Sequence, residues 1–168
     1  MQKYDIIYRE GSVKNPSKST LKGSNNMEFI KSDGGRSKYF KGATGDCVCR
    51  AICNATGKDY KEVYDLINEI SQKEHTTRRK KDMSNARTGV YKYTEKKIIE
   101  EILGWKWHPC MTIGSGCQIH LNENELPKGN LIIRCSKHLT CVRDRVLYDT
   151  YDCSREGTRC VYGYWSKE

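Results

Sequence analysis

Apolar residues at Val48, Ala51, Ile52 and Ala55 recur at helical spacing, and Gly57 follows as a stop. Thr44 or Asp46 stands where a cap would start that helix. A second helix opens at "DYKE", where Asp59 and Glu62 have capping-box spacing and Val63, Leu66, Ile67 and Ile70 share one face. Residues 72–92 lose the periodicity and read as a basic, solvated loop. The helical pattern returns from about Thr94, with Ile98, Ile99, Ile102 and Leu103 inward and Gly104 as its end.

After Gly104 the period changes. "WKWHPCMTI", "NLIIRC", "HLTCV", "RVLYDTY" and "RCVYGYW" are short, rich in β-branched and aromatic residues, and separated by turn signals such as "LPKG" and "RDR". Helices first and strands afterwards predict an α+β fold, an N-terminal helical half packed on a C-terminal antiparallel sheet. Residues 1–38 read as an irregular N-terminal arm in which only "YDIIY" and "MEFI" suit a hairpin or edge strand. Residues 39–168 then form one domain, long enough to bury a core without cross-links.

Thirty basic against 21 acidic residues leave a net charge of +9. Such a surface attracts nucleic acid or an acidic protein. The densest run, "RRKK" at 78–81, has no regularly interleaved aromatics, so nucleic acid is a possible but not the favoured partner. No apolar run approaches the roughly 18 residues that cross a bilayer. Nine cysteines is an odd count, and no hydrophobic leader precedes them, which predicts reduced thiols and a cytoplasmic protein. The sequence carries no sign of oligomeric state.

Three of those cysteines crowd into "GDCVCRAIC". Structural zinc takes paired ligands at C-x2-4-C spacing, twice over, and no CxxC occurs in the chain. Cys47 and Cys49, two apart on a helix, point about 200° away from each other and grip one ion poorly. Neither a metal nor an organic cofactor is expected. A nucleophile asks for a different setting: the first turn of a helix lowers a thiol's pKa, because its unpaired N–H groups and dipole favour the thiolate. Cys47 occupies that place, after the flexible "GATGD". Cys49, Cys53, Cys135 and Cys141 fall inside element patterns, where a small buried thiol is expected.

Of the four histidines, His75 lies in the basic loop and His108 follows Trp107 near a sheet edge. His120 in "GCQIHLN" is a second candidate for the base. His138 opens "HLTCV", the first strand of a hairpin that returns as "VLYDT", and is the favoured one. A turn centred on Asp144 sets position 138 opposite about position 150, which brings Asp149 near the imidazole. That carboxylate would bond Nδ1 and turn the other nitrogen toward the thiol. Asp152, on the opposite face, takes the role if the turn shifts by one residue. The "IGSGCQIH" segment reads as a tight turn or a substrate-binding rim. Trp105, Trp107, Tyr162, Tyr164 and Trp165 read as a packed sheet face or a groove lining.

With "GDCVCRAI" early and "KHLTCVRDRVLYDTYD" late, the chain resembles the papain-like cysteine peptidase superfamily. More narrowly, it is similar to small phage and bacterial proteins sharing "GATGDCV-RAI", "LGWKW-P", "IGSGC" and "GTRCVYGYW" over residues 40–165. The resemblance implies a papain-like domain over 39–168, a Cys47–His138–Asp149 triad and cleavage of peptide or isopeptide bonds in a protein or peptide substrate. The superfamily glutamine ahead of the cysteine is missing. The backbone N–H of Cys47 would stabilise the oxyanion, with Thr44, the backbone of Asp46 or Gln118 supplying a second donor. Acyl transfer by the same triad, or a basic binding protein whose triad is vestigial, are the alternatives.

Overall fold

The computed structural model describes residues 26–168. The "YDIIY" segment lies outside them. Helix α1 runs Cys47–Thr56, α2 Tyr60–Ser71 and α3 Lys92–Lys96; strands are β1 Glu28–Lys31, β2 Lys106–Pro109, β3 Asn130–Cys135, β4 His138–Arg143, β5 Val146–Asp149 and β6 Gly163–Ser166. The six strands form one sheet in the order β1-β5-β4-β3-β6-β2. The molecule is therefore α+β, but the sheet is mixed rather than antiparallel. β1 pairs parallel to β5, with Phe29 beside Leu147 and Lys31 beside Asp149, while the other pairs are antiparallel. The whole helical half separates β1 from β5, so no hairpin turn dictates an antiparallel approach.

Local sequence explains the helix ends. Gly57 adopts φ 73° and donates its N–H to the Cys53 carbonyl at 2.9 Å, closing α1 in the left-handed conformation that glycine tolerates. Asp59 caps α2 by accepting from the N–H groups of Lys61 and Glu62. The second half of the expected capping box is absent. Glu62 instead pairs with Lys58 at 2.8 Å. Val63, Ile67 and Ile70 are buried as the period requires, and Leu66 is half-buried.

α3 widens into a π-helical segment, Lys97–Ile102. This alters the face read from the sequence. Leu103 donates to the Ile98 carbonyl, five residues back, at 2.9 Å and packs on the core, whereas Ile102 is 45% exposed instead of inward. At 100° per residue Ile102 would have fallen between Ile98 and Ile99; the wider turn gives that place to Leu103.

The core has two parts. On one side Val48, Ile52, Ile67, Ile98 and Ile99 pack on Ile132, Leu139, Cys141 and Trp165. On the other, Leu131, Ile133, Val142 and Leu147 meet Leu121, Leu126 and Val161 from the C-terminal loops. α1 is thus pinned along β4, and truncating fully buried Ile52 to alanine costs about 2–5 kcal/mol.

The basic loop at 72–92 is only partly solvated. Its organiser is buried Glu74, which accepts from Lys80 Nζ at 2.5 Å, the Ser84 N–H at 2.9 Å and the Thr94 hydroxyl. Arg78, Arg79 and Lys81 remain exposed. Among the described residues no helix is long and apolar enough to cross a membrane.

Candidate active site

Cys47 is the first residue of α1 and Asp46 stands at its cap position. Neither proposed cap side chain serves as one. Thr44 donates its hydroxyl to the Arg87 carbonyl at 2.9 Å, and Asp46 turns its carboxylate inward. There it receives Arg36 Nη1 at 3.3 Å, Arg50 Nη1 and the Tyr60 hydroxyl, all buried. The cost of burying Asp46 is met by these donors. The first-turn amides of α1 are left without a side-chain cap from Asp46.

His138 and Asp149 meet across the β4–β5 hairpin. His138 Nε2 lies 2.7 Å from Asp149 Oδ2. The hairpin turns tightly through Asp144 and Arg145, both at positive φ, and pairs Arg143 with Val146 and Cys141 with Tyr148. Continuing that register sets Thr140 opposite Asp149, one pair away from the expected alignment. His138 reaches Asp149 along the diagonal on the same face. The diagonal also explains why the far nitrogen, Nε2, meets the carboxylate instead of Nδ1. Nδ1 makes no hydrogen bond among the described residues. Asp149 is fixed further by the Thr150 N–H at 2.7 Å and by Arg50 Nη2 at 3.5 Å.

Cys47, Arg50, His138, Leu139 and Tyr151 line one cavity of about 700 Å³. Burial pushes the Cys47 thiol up, but the neighbouring His138 ring, the Leu139 N–H and Arg50 outweigh it, and the thiol is held below its ordinary value. Burial pulls the imidazole down, while Asp149, Cys153 and Cys47 together push it up to about 12. Asp149 is disfavoured as an anion by burial, yet His138 keeps it below the usual carboxylate range. All three shifts favour a thiolate beside an imidazolium backed by a carboxylate.

The other residues singled out by the sequence lie elsewhere. Asp152 is exposed and accepts from Ser154 N–H at 2.9 Å and Oγ at 2.6 Å. His120 bonds Glu125 at 3.1 Å, His108 bonds Ser166 Oγ at 2.9 Å, and His75 is exposed. Gln118 donates to the Ser115 carbonyl at 2.7 Å and is not part of the thiol cavity; Thr44 and Gly45 are. Cys49, Cys53, Cys135 and Cys141 are buried, with Cys135 and Cys141 pushed up to about 11 and 12 by burial. The expectation of reduced thiols fails at one pair: Cys117 and Cys160 form a disulfide that fastens the "IGSGC" turn to the C-terminal loop. An odd total never excluded one bridge.

Three contributors escaped the sequence reading. Arg50 joins Asp46 to Asp149. Tyr151 sets its ring 5.6 Å from that of His138. Cys153 is fully buried with its sulfur 3.7 Å from Asp149 Oδ2. The donor atoms of His138, Asp149 and Cys153 lie within 4.8 Å of one another, a set that suits a transition metal by type. A cation there would have to break the His138–Asp149 bond and sit beside the Arg50 guanidinium, so the arrangement suits a hydrogen-bonded pair better.

No family model, curated protein or solved structure matches the chain.

Proposed function

We propose that the protein is a papain-like cysteine hydrolase of peptide or isopeptide bonds. One observation carries the reading: an imidazole held by a buried carboxylate shares a cavity with a cysteine at the start of a helix. The order Cys47, His138, Asp149 agrees with it, as do helices that precede five of the six strands.

The Cys47 thiolate attacks the substrate carbonyl carbon, forming a C–S bond while the carbonyl oxygen takes the negative charge. The Cys47 N–H and its first-turn neighbours face that oxygen. Collapse of the intermediate breaks the C–N bond, and the imidazolium of His138 gives its proton to the departing amine. Neutral His138 then takes a proton from water, whose oxygen attacks the thioester and expels the thiolate. Asp149 holds the ring so that Nδ1 faces the sulfur throughout, and Arg50 holds Asp149.

Incubation of the full chain with a quenched-fluorescence peptide library, followed by mass analysis, tests the reading. Cleaved products lost on Cys47→Ala and on His138→Ala are the expected result. Products carrying an added amine instead of water indicate transfer, and an inert wild-type chain overturns the hydrolase.

A further inference from the structure

The thiol cavity does not end at the triad. A second cavity of about 420 Å³ adjoins it, walled by Trp107, Met111, Ile113 and Trp165. Lys92, Arg134 and Tyr162 belong to both walls, so the two cavities meet at these residues, and together they are called the groove below. The apolar end is built rather than incidental. Trp107 and Trp165 pack with ring centroids 4.5 Å apart across the β2–β6 pair, and Arg134 lies 5.3 Å over the Trp165 ring. Ile113 stands fully exposed at the rim, on a turn that the Cys117–Cys160 disulfide anchors. Among the described residues no segment covers it.

The charges along the groove are unequal. Arg134 is paired with buried Glu95, and Lys96 lies 3.7 Å from Glu100. Lys92, where the cavities meet, and Lys137, beside His138, are exposed and have no carboxylate partner among the described residues. Two free ammonium groups thus flank an apolar recess and a thiol.

We propose that this groove binds an extended acidic peptide, seating a large apolar side chain between Trp107 and Ile113 and carboxylates against Lys92 and Lys137. The location of the reacting bond at Cys47 rests on the hydrolase reading; the binding does not. A lipid chain fits less well, because it would have to cross the Arg134–Glu95 ion pair to reach the thiol. A nucleic acid would leave the apolar recess unused.

The test uses the full chain carrying Cys47→Ala, which binds without turnover, and three fluorescein-labelled peptides read by anisotropy. One has a Glu-Leu-Gly-Glu core, the second has serine for leucine, and the third has lysine for both glutamates. The first should bind about tenfold more tightly than either other, as expected for one buried aliphatic side chain or two ionic contacts. Adding Ile113→Asp should abolish the preference for leucine, and Lys92→Glu with Lys137→Glu should reverse the charge preference. All three positions are exposed, and unchanged thermal melting confirms an intact fold. Equal binding of the three peptides, or preferences untouched by these substitutions, overturns the proposal. Binding with these preferences but no cleavage by the wild-type chain overturns the hydrolase and keeps the groove; cleavage without them does the reverse.

Discussion

Arg50 places Nη2 3.5 Å from Asp149 Oδ1 while its Nη1 holds Asp46, the residue immediately before Cys47. One buried guanidinium therefore links the start of the helix that bears the thiol to the strand end that bears the acid. Replacing it with methionine leaves two buried carboxylates short of a partner and should cost about 3–5 kcal/mol in urea unfolding. Arg50→Lys keeps the charge but loses the fork that reaches both acids. It should retain more stability than the methionine variant, and equal losses for the two would remove the bridging role.

The thiolate–imidazolium pair makes a prediction about reactivity. The rate of Cys47 alkylation by iodoacetamide should reach its midpoint below the ordinary thiol range of about 8.5. In His138→Ala the rate profile should move upward, because burial then acts on the sulfur without its main counterweight. A profile that stays in place separates the two residues.

Stability should fall at both ends of the pH range. His138 is raised from 6.5 to about 12, so its contribution is complete below 6.5 and is lost as pH climbs toward 12. Asp149 is lowered from 3.8, so its contribution is present above 3.8 and disappears as pH falls through its folded value. Urea midpoints measured across this range should form a plateau with two shoulders, and Asp149→Asn should flatten both.

Glu74 is held down to about 2, against burial, by Lys80, Ser84 and Thr94. Glu74→Gln removes the anion that gathers the basic loop. Trypsin should then cut at Arg78, Arg79 or Lys81 faster than in the parent chain, with far-ultraviolet circular dichroism unchanged. Equal cutting rates would show that the loop is ordered by something else.

Gly163 faces Trp107 so closely that a Cβ would run into the indole and come within 2.8 Å of the His108 carbonyl. Gly163→Ala should cost about 1–3 kcal/mol through displacement of the ring. Because Trp107 also walls the apolar recess, binding of the Glu-Leu-Gly-Glu peptide should weaken in parallel.

Much of this arrangement was legible because it is local. Cys47 could be placed at a helix start from the glycines before it and the 3.6-residue apolar period after it, and His138 and Asp149 from the span of a single hairpin. What was misread depends on contacts between distant segments. Nothing in "MEFI" specifies a parallel neighbour, since β5 arrives more than a hundred positions later. The widening at Lys97–Ile102 has no residue signature of its own. Cys153 follows Asp149 by four positions, but it sits in an irregular stretch where no period assigns it an inward direction. Arg50 lies off the apolar period of its helix, and nothing local marks it as the buried partner of Asp46 and Asp149. Cys117 and Cys160 both lie in turn-rich segments, and folding rather than spacing brings them together.

The clasp between α1 and the far hairpin also has a temporal side. Asn54 reaches the Tyr148 carbonyl across 94 positions, and the sulfur waits just as long for its ring and acid. A ribosome therefore releases Cys47 as an ordinary, unactivated thiol well before β4 and β5 emerge. The groups that hold the thiol below its ordinary value join it only when the sheet closes, so an incomplete nascent chain presents the sulfur without its ring and acid.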